Sequence, residues 1–153
     1  ALSGGAYPVS AVLADNAIMG VIHPGQHGST FGGNPVAAEV GIAALLVVQD
    51  ENLAQNARKM GDRFRAAMAQ LALESDLITK VRGRGLLNAV IINDSPDSST
   101  AWDLCVAMKD NGLLAKPTHG NIIRFAPPLV ITQEEMDACI DIIRKTVLGF
   151  QRK

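Results

Sequence analysis

The feature that most constrains this chain is a helix with no polar side. Asn34-Pro35 is followed by VAAEVGIAALLVVQ, residues 36 to 49, in which apolar side chains point in nearly every direction. Asn at the capping position and Pro at the first helical position mark a helix start, because the N–H that proline lacks has no partner there anyway. A helix that is apolar all round is stable where protein surrounds it. The sequence ahead of it, PVSAVLA at 8 to 14, is a short apolar run after Gly4-Gly5 and is expected to be a buried strand. A Gly-, His- and Pro-rich stretch from Gly20 to Gly33 joins the two. Strand and apolar helix together read as a piece of a larger α/β core. The opening ALSGGAYPVSAVLA has no methionine, no basic n-region and no cleavage pattern. The chain is therefore expected to be a fragment of a longer protein.

The remainder reads differently. From about Glu51 to Leu73 the pattern is amphipathic: Leu53, Ala57, Met60, Phe64, Ala67 and Leu71 recur at steps of three and four. KVRGRGLLNAVII, residues 80 to 92, reads as two extended pieces joined through Gly83 and Gly85, with a bulge or tight bend between them. NDSPDSST is a polar loop ending in candidate caps, and AWDLCVAMKDN is a short helix closed by Gly112. LLAKP and IIRFAPP are short strands around the turn THGN. Thr132 and Glu135 form a capping box, with Ile131 placed to staple onto Met136, and the apolar face continues through Ile140, Ile143 and Val147. The order β, β, α, β, β, α predicts an α+β unit whose short, mainly antiparallel sheet has helices on one face. The divisions expected are 1–50, a connecting helix over 51–77, and a small domain over 78–153.

Composition excludes more than it selects. Lys and Arg total 14 against 15 Asp and Glu, a formal net charge of -1, so nothing favours nucleic acid or a membrane surface. Apolar residues make up 48%, ample for a core, yet no run is long enough to span a bilayer. Cys105 and Cys139 each sit in an apolar helical pattern and read as reduced, buried thiols. Neither they nor His23, His27 and His119 have metal-ligand spacing, so no metal site is expected.

Two stretches can carry chemistry. HGSTFGGNP, residues 27 to 35, offers hydroxyls and backbone N–H groups just before a helix start. That arrangement suits a phosphate, and it equally suits a structural loop that needs glycine for positive φ. Arg124 in IIRFAPP alternates with Ile123 and Phe125 on a strand. It is either an ordinary surface arginine or a planar fork for a carboxylate, a role lysine cannot copy. Tyr7 beside Pro8, His119 in its turn, and Arg82 and Arg84 in VRGRG read first as packing, turn and surface or ion-pair residues.

ALSGGAYPVSAV, HGSTFGGNP, VRGRGLLNAV and LLAKPTHGNIIRFAPPL, in that order, resemble the class III, fold-type I aminotransferases that use pyridoxal 5'-phosphate (PLP). The resemblance spans essentially the whole chain. It implies an α/β piece of the large PLP-binding domain followed by the α+β C-terminal small domain. It also implies that the cofactor lysine lies immediately before Ala1, so that no catalytic residue falls within the chain and the chain alone is inactive. By the same carry-over, Thr30 and Ser29 contact the phosphate of the PLP of the neighbouring subunit in a homodimer, Arg124 binds the substrate α-carboxylate, and Tyr7 borders the site. A glutamate upstream of this chain would mask Arg124. AKPTHG points to the branch that moves the δ-amino group of L-ornithine to 2-oxoglutarate, in a mitochondrial matrix or a bacterial cytoplasm. Class III enzymes acting on acetylornithine or 4-aminobutyrate, and a non-catalytic assembly domain, are the alternatives.

Overall fold

A computed structural model describes residues 2–151 as two units, divided between Asn52 and Leu53. The first unit contains a single turn of helix, α1 (Asn16–Met19), and the long helix α2 (Pro35–Asp50). Asn34 caps α2 as the sequence predicts: its Oδ1 accepts the Ala37 N–H at 2.9 Å, and Pro35 occupies the first turn. Its Nδ2 donates to the Phe31 carbonyl at 2.8 Å, which ties the incoming loop to the helix start.

The strand expected over 8–14 does not form. These residues follow an irregular path and are almost all exposed. Apolar content cannot by itself make a strand, because the backbone N–H and C=O groups need a neighbouring strand, and the described residues of this unit supply none. Helix α2 forms, but only Ala37 and Gly41 are buried; Val36, Ile42, Leu45 and Leu46 face solvent in this chain.

The second unit contains the α+β arrangement expected over 78–153, together with the helix expected only as a connector over 51–77, which supplies part of its core. Helix α3 (Leu53–Glu74) is followed by the hairpin β1 (Ile78–Arg84) and β2 (Leu87–Ile92), then α4 (Thr100–Asp110), β3 (Lys116–Thr118), β4 (Ile122–Phe125) and α5 (Gln133–Gly149). The sheet is wholly antiparallel, in the order β1-β2-β4-β3. Pro117 sits in β3 at the sheet edge, where its missing N–H breaks no central ladder. Helix α3 packs on β1 and β2, α4 packs on β3 and β4, and α5 lies against α3 and α4.

The core lies between the helices and one sheet face. Val90, Ile92, Ile123 and Phe125 point into it, where they meet Met60, Phe64, Leu104 and Met136. Phe64 and Phe125 stack tilted, with ring centroids 5.2 Å apart. The α3 stripe is buried as spaced, except that Met68 is fully buried where Ala67 is only half-buried. Both halves of the Thr132–Glu135 capping box are made, at 3.2 and 2.8 Å, and Ile131 and Met136 are both buried in the core. Ser99 precedes α4 without capping it: its backbone is already helical and its hydroxyl donates to Asp103 at 2.8 Å.

Candidate functional site

The sheet face away from the helices carries Arg124. In an antiparallel ladder, residues directly opposite share a face. Arg82 stands opposite Ala89, Ala89 opposite Arg124, and Arg124 opposite Lys116, so one row crosses the whole sheet. Lys80 and Arg84, two residues either side of Arg82, project from the same face. Arg82, Arg84, Ala89, His119, Ile122 and Arg124 line an open pocket of about 400 Å³, and no Asp or Glu is among its lining residues. Arg82, Arg84, Lys116 and Arg124 are exposed and form no ion pair among the described residues.

The turns that frame this pocket are fixed by their backbones. Gly85 has φ +53° at the first central position of the two-residue β1–β2 loop, a conformation glycine adopts without strain. Gly83 lies within β1 opposite Asn88, and no side chain fits there, because a Cβ would lie 2.3 Å from Asn88 Oδ1. Asn88 is buried and donates to the Gly85 carbonyl at 3.1 Å, while Arg65 Nη1 donates to the same carbonyl at 2.9 Å and to Asn88 Oδ1 at 2.7 Å. On the other hairpin, His119 has φ +49° and Gly120 φ +73°. Asn121 Nδ2 donates to the carbonyls of Ile92 and Asp94, at 3.2 and 3.1 Å, and locks that turn beside the end of β2. His119, read from sequence as a turn residue, is one, and the turn delivers it to the Arg124 pocket.

In the first unit, Ser29 Oγ accepts the Gly32 N–H at 3.0 Å, which leaves its own O–H to donate. Ser29 and Thr30 are both exposed. Gly33 takes φ +74° just before the Asn34 cap, and the first turn of α2 contains no acidic residue. Ser29, Gly32, Asn34 and Tyr7 line an open groove of about 460 Å³. Tyr7 is half-buried and its backbone is held by Ser3, whose Oγ accepts the Tyr7 N–H at 3.2 Å and donates to the Tyr7 carbonyl. Thr30 is not among the residues of that groove.

Both cysteines are free; Cys105 is buried as expected, whereas Cys139 is only half-buried. Burial pushes the Cys105 thiol up to about 11, and burial followed by the charge of Glu135 raises that of Cys139. Among the described residues no group of His, Cys, Asp and Glu is placed to hold a metal ion, and no helix is long and apolar enough to cross a membrane. The residue that sequence reasoning missed is Lys116. Its place in the row depends on strand register, and the run LLAKPT contains no signal for it beyond a charge on a strand.

The aminotransferase class-III family matches residues 1–147. Mitochondrial ornithine aminotransferases of Drosophila melanogaster and Rattus norvegicus are 58% and 56% identical over 149 and 150 residues, covering 97% and 98% of this chain. The chain spans about a third of the length of these curated relatives, 33% and 34%. Among solved structures, acetylornithine aminotransferase from Elizabethkingia anophelis superposes with a TM-score of 0.90 at 68% identity, over 97% of this chain and 39% of that one. The ornithine delta-aminotransferase of Plasmodium falciparum superposes with a TM-score of 0.87 at 44% identity, over 96% and 38%. The fold is therefore that of a fold-type I aminotransferase fragment with its small antiparallel sheet and helices, and the chain belongs to the class-III aminotransferase family.

Proposed function

We propose that the full-length protein is a PLP-dependent aminotransferase that moves the δ-amino group of L-ornithine to 2-oxoglutarate. The products are glutamate and glutamate-5-semialdehyde, and the latter closes to pyrroline-5-carboxylate with loss of water. The observation that carries this reading is Arg124: an exposed guanidinium on β4 that lines an open pocket with Arg82 and His119 and forms no ion pair among the described residues. A planar fork of that kind grips a substrate α-carboxylate through two parallel charge-assisted bonds. The mitochondrial ornithine aminotransferases of fly and rat, at 58% and 56% identity, support the choice of amine donor.

The loop before α2 suits a phosphate. Ser29 keeps a hydroxyl proton to donate, Thr30 presents a second hydroxyl to solvent, and the helix start beyond them bears no opposing acid. In the reading proposed, these hydroxyls hold the phosphate of the PLP of a partner subunit, so a homodimer completes each site. PLP, when bound, supplies the electron sink for the transfer. Arg124 orients the substrate by its carboxylate, and Tyr7 closes one side of the groove.

Transfer from N-acetylornithine is the second reading, favoured by the name of the Elizabethkingia structure at 68% identity. The test uses the full-length protein loaded with PLP. Its absorbance is followed while L-ornithine, N-acetylornithine and 4-aminobutyrate are added in turn. Conversion by L-ornithine alone is the result expected; conversion by N-acetylornithine instead moves the assignment to the second reading.

A further inference from the structure

Asn111–Gly112, the only Asn-Gly pair in the sequence, closes α4. Asparagine followed by glycine is the pairing most prone to lose its side-chain amide, because glycine has no Cβ to hinder attack by its own nitrogen or to restrict its backbone. In that reaction the Gly112 nitrogen gives up its proton and bonds to Asn111 Cγ, and the side-chain nitrogen leaves as ammonia. Water then opens the ring at either carbonyl, to aspartate or isoaspartate. The chain and water supply every atom, and no oxidant or reductant is needed. Asn111 is exposed, and no described atom lies within 4 Å of where a Gly112 Cβ would stand. Water and base therefore reach the pair.

The backbone nonetheless holds the reacting groups apart. Gly112, at φ +94°, donates its N–H to the Lys109 carbonyl at 2.9 Å, and Leu113 donates to the Met108 carbonyl at 2.9 Å. These are the two bonds of a Schellman cap. Asn111 Nδ2 donates to the Ala107 carbonyl at 2.8 Å and lies 3.5 Å from Oγ1 of Thr146, a buried side chain on α5. At ψ 6° the Gly112 nitrogen nearly eclipses the Asn111 backbone nitrogen, whereas ring closure needs it to eclipse Cβ. We infer that Asn111–Gly112 is a modification site that the fold keeps closed: deamidation there waits on opening of the α4 cap, and then makes the opening permanent. The product carries a carboxylate where Asn111 has a donor, so it cannot bond the Ala107 carbonyl. It also sets negative charge beside Asp110, at the helix end that disfavours it. Isoaspartate further lengthens the backbone by a methylene and breaks the register of both cap bonds. Leu113 to Ala115 join this cap to β3, whose Lys116 pairs with Arg124, so the lesion lies at the root of the edge strand beside the pocket.

The test uses the full-length protein, held in mildly alkaline buffer and sampled over days. Isoaspartate is read by enzymatic methylation of isoaspartyl carboxylates and placed by peptide mass mapping. Deamidation at Asn111 is expected to run at least about tenfold faster in denaturing urea than in the native protein at the same pH and temperature, equivalent to a local opening free energy of about 1.4 kcal/mol or more. Leu113→Ala removes a side chain that packs the cap onto the core, and should raise the native rate several-fold while circular dichroism shows the fold intact. If that variant does not fold, urea below the unfolding transition takes its place and should speed the wild-type reaction in the same way. Asn111→Asp, the deamidated chain made directly, is expected to lower the urea midpoint. Equal rates in native and denatured protein, or no isoaspartate at this position even in urea, would overturn the inference. So would a native rate unmoved by the perturbation used, or an Asn111→Asp protein as stable as wild type.

Discussion

Gly61 of α3 lies directly against Gly85, the turn residue of the β1–β2 hairpin: a Cβ on Gly61 would stand 1.9 Å from the Gly85 carbonyl oxygen. Glycine in a helix interior costs about 1 kcal/mol relative to alanine, so its presence here follows from packing. The close approach lets Arg65, one turn further along α3, reach the same carbonyl and hold the hairpin that carries Arg82 and Arg84. Gly61→Ala must push the hairpin off the helix despite the gain in propensity. A loss of about 1–3 kcal/mol is expected in urea unfolding, as for other overpacked sites. An unchanged or raised stability would show that hairpin and helix are not so tightly joined.

Arg124→Lys in the full-length enzyme tests the fork. Lysine keeps the charge and loses one of two parallel bonds, each worth about 1.5–3 kcal/mol when charged. A fall in kcat/KM of roughly ten- to a hundredfold is expected for substrates bound by their α-carboxylate. A change below twofold would mean that Arg124 acts only through its charge.

Thr132→Ala removes the side chain that accepts the Glu135 N–H at the start of α5. The expected cost is about 1 kcal/mol in chemical denaturation. Because Ile131 and Met136 still pack in the core, the helix should persist by circular dichroism.

Cys105 makes stability depend on alkaline pH. Its thiol is raised by burial to about 11 from an ordinary value of 9.0, so the folded chain holds the proton more tightly than the unfolded one. The contribution is fully present below about pH 9 and is lost as pH rises towards 11, where the unfolded thiol has already ionised. Urea unfolding of wild type and Cys105→Ala should therefore converge between those limits by about 2 kcal/mol. A difference that stays constant with pH would refute the linkage. Native Cys105 should also resist alkylation at neutral pH until the chain unfolds.

A chain of these residues should self-associate. Val36, Ile42, Leu45 and Leu46 are exposed along α2, and Leu13 and Phe31 are 89% and 80% exposed in the segment before it. Light scattering is expected to report species larger than a monomer, reduced by Leu45→Lys and Leu46→Lys. A clean monomer over a wide concentration range would count against it.

The sequence by itself settled what depends on near neighbours. The Asn34-Pro35 helix start, the Thr132–Glu135 box, the stripe on α3 and the alternation of Arg124 with Ile123 and Phe125 all involve residues within a few positions of one another, and all are present. Local periodicity and capping have local causes, so a linear string contains them. The run at 8–14 failed for the opposite reason: a strand exists only if another strand satisfies its backbone, and no local pattern can promise one. Helix α2 is legible as a helix, yet what covers it is not encoded in its own letters. The candidate site divides in the same way. Arg124 could be picked out from IIRFAPP and its family resemblance, whereas its row with Arg82, Ala89 and Lys116 joins four strands and is decided by register alone, since a slip of one residue would turn each of those side chains to the opposite face.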